Sequence, residues 1–103
     1  MIYDIKRHSL KGMRIHGIWG CMKSRCKSPT DKSYKNYGAR GIKVCPLWDN
    51  SYEKFYDWAV SHGYSNKLML DRIDNDGHYC PSNCEWVTIQ ERKWNKKDRE
   101  ETL

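Results

Sequence analysis

Asp71, Asn83 and Asn95 are placed in the C-terminal third in a way that a structural loop does not require. Hard divalent ions take carboxylate and amide oxygens, and Mg²⁺ binds through one or two protein ligands while phosphate and water complete its shell. Asp71 and Asn95 supply such a pair, with Asn83 between them. An ion held there beside basic side chains suits a scissile phosphate, and the chemistry would be metal-assisted phosphodiester hydrolysis. Beside Asp71 stands Arg72, whose guanidinium donates but cannot accept, so it suits a phosphate oxygen and not general-base work. His78 is the nearest group able to take a proton, and its alternative is a solvated loop histidine. Asp74 and Asp76 have a plainer reading, because Asn75-Asp-Gly77 is a strong turn sequence on its own.

The cysteines, Cys21, Cys26, Cys45, Cys80 and Cys84, form the second reactive set. An odd count behind an N-terminus with no apolar signal stretch argues against a disulfide framework. Buried thiols and a metal site both remain open, since no CxxC pair is present.

Positioning these groups requires ordered elements. Ile15, Ile18, Trp19, Met22 and Cys26 recur at helical spacing, which predicts a helix near Arg14 to Cys26 with a buried stripe. Residues 28 to 41 read as a long ordered loop, with Tyr34 and Tyr37 packing it down and its basic residues left outward. Ile42-Lys-Val-Cys45 alternates as a short strand that Pro46 stops. A helix is expected after Asn50, capped by that residue with Glu53, with Tyr52, Phe55, Tyr56 and Ala59 as its apolar face and Gly63 as its end. Residues 67 to 73 and 85 to 88 read as strands flanking a turn-rich loop. Thr88 and Glu91 form a capping box, from which a helix should carry Arg92, Lys93, Lys96, Lys97 and Arg99 outward. Trp48, Trp58, Trp86 and Trp94 are assigned to packing.

At 103 residues the chain has room for one core, which excludes a two-domain enzyme. It is 38% apolar with a mean hydropathy of -0.98, but 13% aromatic, so large rings can close a small core. No apolar run approaches a membrane span, and a soluble cytoplasmic protein without a small-molecule cofactor is expected. Residues 1 to 50 hold eleven Lys or Arg against three acids, while residues 51 to 103 hold eight against ten. That asymmetry places a positive field over Lys23, Arg25, Lys32, Lys35, Arg40 and Lys43, joined by Arg92, Lys93 and Lys96. Such a field suits DNA, and its bland counterpart is a solubilising surface.

Leu70-Asp-Arg-Ile-Asp-Asn-Asp-Gly77, Pro81-Ser-Asn-Cys-Glu-Trp-Val-Thr88, Gln90-Glu91 and Asn95 together resemble the HNH, or His-Me finger, nuclease motif. The variant resembled is that of small phage-encoded and homing-type endonucleases. Ile18-Trp19, Met22-Lys-Ser-Arg-Cys26 and the stretch from Tyr34 to Cys45 resemble the N-terminal half of small phage HNH-like proteins, so the likeness runs over most of residues 8 to 95. It implies an α+β domain, with an N-terminal helix and basic loop over 8 to 63 and a ββα-metal unit over 67 to 99. It also implies Mg²⁺ or Mn²⁺ on Asp71 and Asn95, a loop-supporting role for Asn83, and a structural Zn²⁺ held by His8, Cys26, Cys45 and Cys84. The general-base position of the motif is occupied by Arg72, and loss of the base costs roughly 10²–10⁴ in rate unless another group replaces it. Two functions are therefore expected in competition: a metal-dependent nicking endonuclease, or an inactive HNH-fold module that binds DNA or a host protein.

Overall fold

In the computed structural model, residues 10 to 92 are described. His8, Lys93, Trp94, Asn95, Lys96, Lys97 and Arg99 lie outside them. Among the described residues the architecture is α+β, with four helices and one two-stranded antiparallel sheet.

Helix α1, Leu10–Lys27, follows the apolar stripe. Ile15 and Met22 are fully buried, and Ile18, Trp19 and Cys26 pack against the same core from partly buried positions. Arg25 and Lys27 in its last turn complement the negative end of the helix dipole. Beyond it, the Asp31 carboxylate accepts from the Ser24 hydroxyl and the Ser33 amide, which folds the loop back on the helix. Two 3₁₀ turns, Tyr34–Asn36 and Gly38–Arg40, occupy the middle of the loop. A Cβ at Gly38 would collide with the Cys26 carbonyl oxygen and the Tyr34 ring, so the close approach of loop to helix requires glycine.

Residues 42 to 45 do not form the expected strand. Val44 makes one parallel bridge to Tyr79, with the Tyr79 amide on the Lys43 carbonyl and the Cys45 amide on the Tyr79 carbonyl. The chain then turns at Pro46, which has no N–H to continue a ladder and instead opens a four-residue helix, α2, Pro46–Asp49. Asn50 closes α2, so the N-cap of α3 (Tyr52–Ser61) falls one residue later than expected. Ser51 fills it, its hydroxyl accepting from the Lys54 amide. Helix α3 ends as expected at Gly63, whose φ of +84° permits the paired bonds Gly63 N–H to Val60 O and Tyr64 N–H to Ala59 O.

Trp48 has no solvent exposure and meets Phe55 and Trp58 at ring distances of 4.9 and 4.8 Å. Trp19 Nε1 donates to the Trp48 carbonyl at 2.7 Å and the Tyr52 hydroxyl to the Gly12 carbonyl at 2.9 Å, which lock α1 across α2 and α3. Trp86 reaches the same aromatic group from the sheet, 5.8 Å from Trp58. Among the described residues no helix is long and apolar enough to cross a membrane.

Strands β1 (Met69–Arg72) and β2 (Cys84–Val87) pair Met69 with Val87, Leu70 with Trp86, Asp71 with Glu85 and Arg72 with Cys84. The Thr88 and Glu91 capping box forms with reciprocal bonds of 3.0 and 3.1 Å, and helix α4 begins at Ile89.

Gly20 gives a sharp contrast to Gly38, because a Cβ there meets no atom within 4 Å. Gly20→Ala is expected to raise the thermal midpoint, since alanine favours a helix by about 1 kcal/mol over glycine. Gly38→Ala is expected to lower it by several degrees; thermal melts of both variants by circular dichroism check the pair.

Candidate functional site

The basic loop and the loop between the two strands meet in one seam. The Lys43 amide donates to His78 Nδ1 at 2.9 Å, and Arg40 donates to the Asp76 carboxylate at 2.6 Å and the Asn75 carbonyl at 3.2 Å. The Val44 bridge to Tyr79 lies next to these contacts. Residues far apart in sequence thus share a surface carrying Lys43 and His78, both exposed.

Alternation along β1 separates Asp71 from Arg72. Successive strand residues point to opposite faces, and directly paired residues share a face. Leu70, Arg72, Trp86 and Cys84 therefore face the core, and Arg72 is only 6% exposed. Met69, Asp71, Glu85 and Val87 take the other face, where Arg92 of α4 reaches the Met69 sulfur at 3.9 Å. Two carboxylates, Asp71 and Glu85, lie directly opposite each other on that face.

Arg72 is expected on phosphate, but its described contacts are internal. Nη1 donates to the Asn75 carbonyl at 2.6 Å and the Gly77 carbonyl at 2.8 Å, and Nη2 to Asn75 Oδ1 at 3.1 Å. Its guanidinium lies 5.0 Å from the Tyr37 ring centroid and 5.3 Å from that of Tyr79. Arg72 is thus the brace of the 73–77 turn.

His78 is not placed as a base either. Its Nδ1 accepts the Lys43 amide, so that nitrogen is held on the backbone of the basic loop. Asn83 behaves as expected of a loop support. Its Oδ1 accepts the Asp74 amide at 2.8 Å, and its Nδ2 donates to the Asp74 and His78 carbonyls at 3.1 and 2.9 Å.

The expected DNA-facing cations divide. Lys32, Lys35 and Lys43 are exposed. Arg40 is committed to Asp76, while Lys23 lies 4.1 Å above the Trp19 ring. Arg25 lies beside the Tyr79 phenol and 5.6 Å from the Tyr37 ring, so it belongs to the same brace as Arg72. Tyr37 and Tyr79 stack at 6.0 Å, which makes packing, as expected for Tyr37, their role. The brace residue that spacing did not reveal is Tyr79; its only signal in the sequence is an aromatic ring inside a run of turn formers.

Among the described residues no three His, Cys, Asp or Glu side chains come together to hold a metal ion, so Cys26, Cys45 and Cys84 do not assemble a zinc site there. Cys84 is buried, and that burial pushes its thiol up to about 12. Burial likewise raises Cys26 above the ordinary thiol range. His8, the fourth expected ligand, lies outside the described residues. Asp71 does fit a hard cation by donor type, and its expected partner Asn95 lies outside the described residues. No family model matches the chain, and neither a curated protein nor a solved structure does.

Two predictions follow from the brace. Arg72→Met leaves the Asn75 and Gly77 carbonyls without their charged donor, and is expected to lower the unfolding free energy by about 3 kcal/mol in chemical denaturation. Burial also holds the Tyr79 hydroxyl up to about 12, alongside the Cys84 thiol. Both groups bind their protons more tightly folded than unfolded, so their contribution is full below about pH 9 and is lost as pH rises toward 12. Denaturation curves at pH 8, 9.5 and 11 are expected to show that decline, and Cys84→Ala to reduce its slope.

Proposed function

We propose that this protein binds DNA through an HNH-like ββα unit in which the catalytic position has been given over to structure, so that it grips DNA without cutting it. The observation that carries the reading is Arg72, turned into the interior between two tyrosines at the place where the motif puts its base. The lone pair of His78, the nearest replacement, is occupied by the Lys43 amide. Hydrolysis of a phosphodiester needs a group to take the proton of the attacking water, and neither residue is placed to do so.

The lysines that remain outward, Lys32, Lys35 and Lys43, are the positioning contacts to phosphate. The seam holds Lys43 rigidly, because its backbone is bonded on both sides, to His78 and Tyr79. Asp71 with Asn95 would hold Mg²⁺ or Mn²⁺, and the ion would supply a bridge to a phosphate oxygen. Asp71 lies on the opposite face of β1 from Arg72, so residue 72 is not poised over that ion.

Fluorescence anisotropy with duplex DNA across a salt series, run beside a supercoiled-plasmid nicking assay with Mg²⁺ or Mn²⁺, tests the proposal. Affinity is expected to fall steeply with salt, and Lys43→Gln to reduce the log–log slope by about 1. The plasmid is expected to stay intact. Salt-independent or absent binding would overturn the DNA assignment; nicking by the natural protein that Asp71→Ala abolishes would overturn the loss of catalysis.

A further inference from the structure

A half-open cleft of about 400 Å³ lies between α1 and β1 and reaches Tyr79 of the seam. One face of α1 forms its long wall, with Arg14, Gly17, Ile18, Met22 and Arg25 at helical spacing. The Met69–Leu70 end of β1 borders it opposite the helix, and Tyr79 and Arg92 complete the lining. The volume is that of a small-molecule site. Its lining surface is mainly apolar, and among the described residues no acidic side chain contributes to it.

Three arginines surround this apolar space. Arg14 and Arg25 stand eleven residues apart on one helix, about 16 Å along its axis, and Arg92 comes from the other side. Arg14 donates to the Tyr64 hydroxyl and the Leu68 carbonyl, Arg25 lies beside the Tyr79 phenol, and Arg92 reaches the Met69 sulfur. All of these acceptors are neutral. Among the described residues no carboxylate lies within ion-pair distance of the three.

Gly17 is the second observation. It sits in the interior of α1, where glycine costs about 1 kcal/mol relative to alanine. A Cβ at Gly17 meets no atom within 4 Å, so packing does not demand it. The missing side chain leaves the wall of the cavity open.

We propose that this cavity binds a small organic anion with an extended apolar body, an aryl or alkyl group carrying a carboxylate or sulfonate. The body lies along Ile18, Met22 and Leu70, and the anionic head is held by an arginine, Arg92 first because it has the weakest competing contact. A nucleotide is a poorer match, since the apolar walls offer a base edge few hydrogen-bond partners.

The probe is 8-anilinonaphthalene-1-sulfonate, titrated into the full chain by fluorescence, with uncharged N-phenyl-1-naphthylamine as the control of matching body. One anionic dye per chain is expected to bind saturably and raise the thermal midpoint, with the neutral dye at least tenfold weaker. Gly17→Leu, which fills the space with a good helix former, is expected to abolish binding without lowering the melting temperature. Arg92→Gln is expected to weaken the anionic dye roughly tenfold and leave the neutral dye unchanged. Equal affinity for the two dyes would overturn the anion preference. Undiminished binding in a folded Gly17→Leu protein would overturn the location, and failure of the natural protein to saturate would overturn the site itself.

Discussion

The structure depends on one buried cation. Taking a guanidinium out of water is expensive unless hydrogen bonds satisfy it. Arg72 meets that demand with two backbone carbonyls and an amide oxygen, and with the faces of Tyr37 and Tyr79. Each of these partners belongs to a segment that has little regular structure of its own. The arginine therefore substitutes for a third strand, holding the 73–83 loop in shape and bringing the 28–45 loop against it.

This arrangement explains how so aliphatic-poor a chain closes a core. Trp48, Phe55 and Trp58 fill the centre, while Trp19, Tyr52 and Trp86 connect α1 and the sheet to it. Indole and phenol groups bury large area and still offer polar tips, and Trp19 and Tyr52 spend theirs on backbone carbonyls of neighbouring elements. The same residues thus supply both apolar contact and interhelical hydrogen bonds.

The brace also constrains chemistry. On a regular strand, adjacent residues cannot share a face, so once residue 72 is drawn inward residue 71 is turned outward. A metal ligand and a base in those two positions would need a distorted strand, whereas the register here is regular over four pairs. On the function proposed above, the exposed lysines are presented from a seam made rigid by backbone bonds.

Much of the secondary structure was legible in the residues. The 3.6-residue stripe of α1, the glycine end of α3 and the Thr88 and Glu91 box are local patterns whose physics acts within one or two turns, and each appears where its pattern placed it. The expected strand at 42 to 45 and the cap at Asn50 were misplaced because their outcomes depend on partners: a single bridging residue, Tyr79, and a four-residue helix opened by Pro46. For the site, the residue types at Asp71, Arg72, His78 and Asn83 were visible, as was the fact that a guanidinium cannot serve as a base. What those side chains face was decided by tertiary structure alone. The direction of Arg72, the Lys43 amide on His78, the pairing of Arg40 with Asp76 and the cavity behind Gly17 all join residues more than thirty positions apart or set one element against another. A linear pattern carries the period of an element but not the identity of its neighbours, and burial, which turned a phosphate-type arginine into a brace, is a property of neighbours.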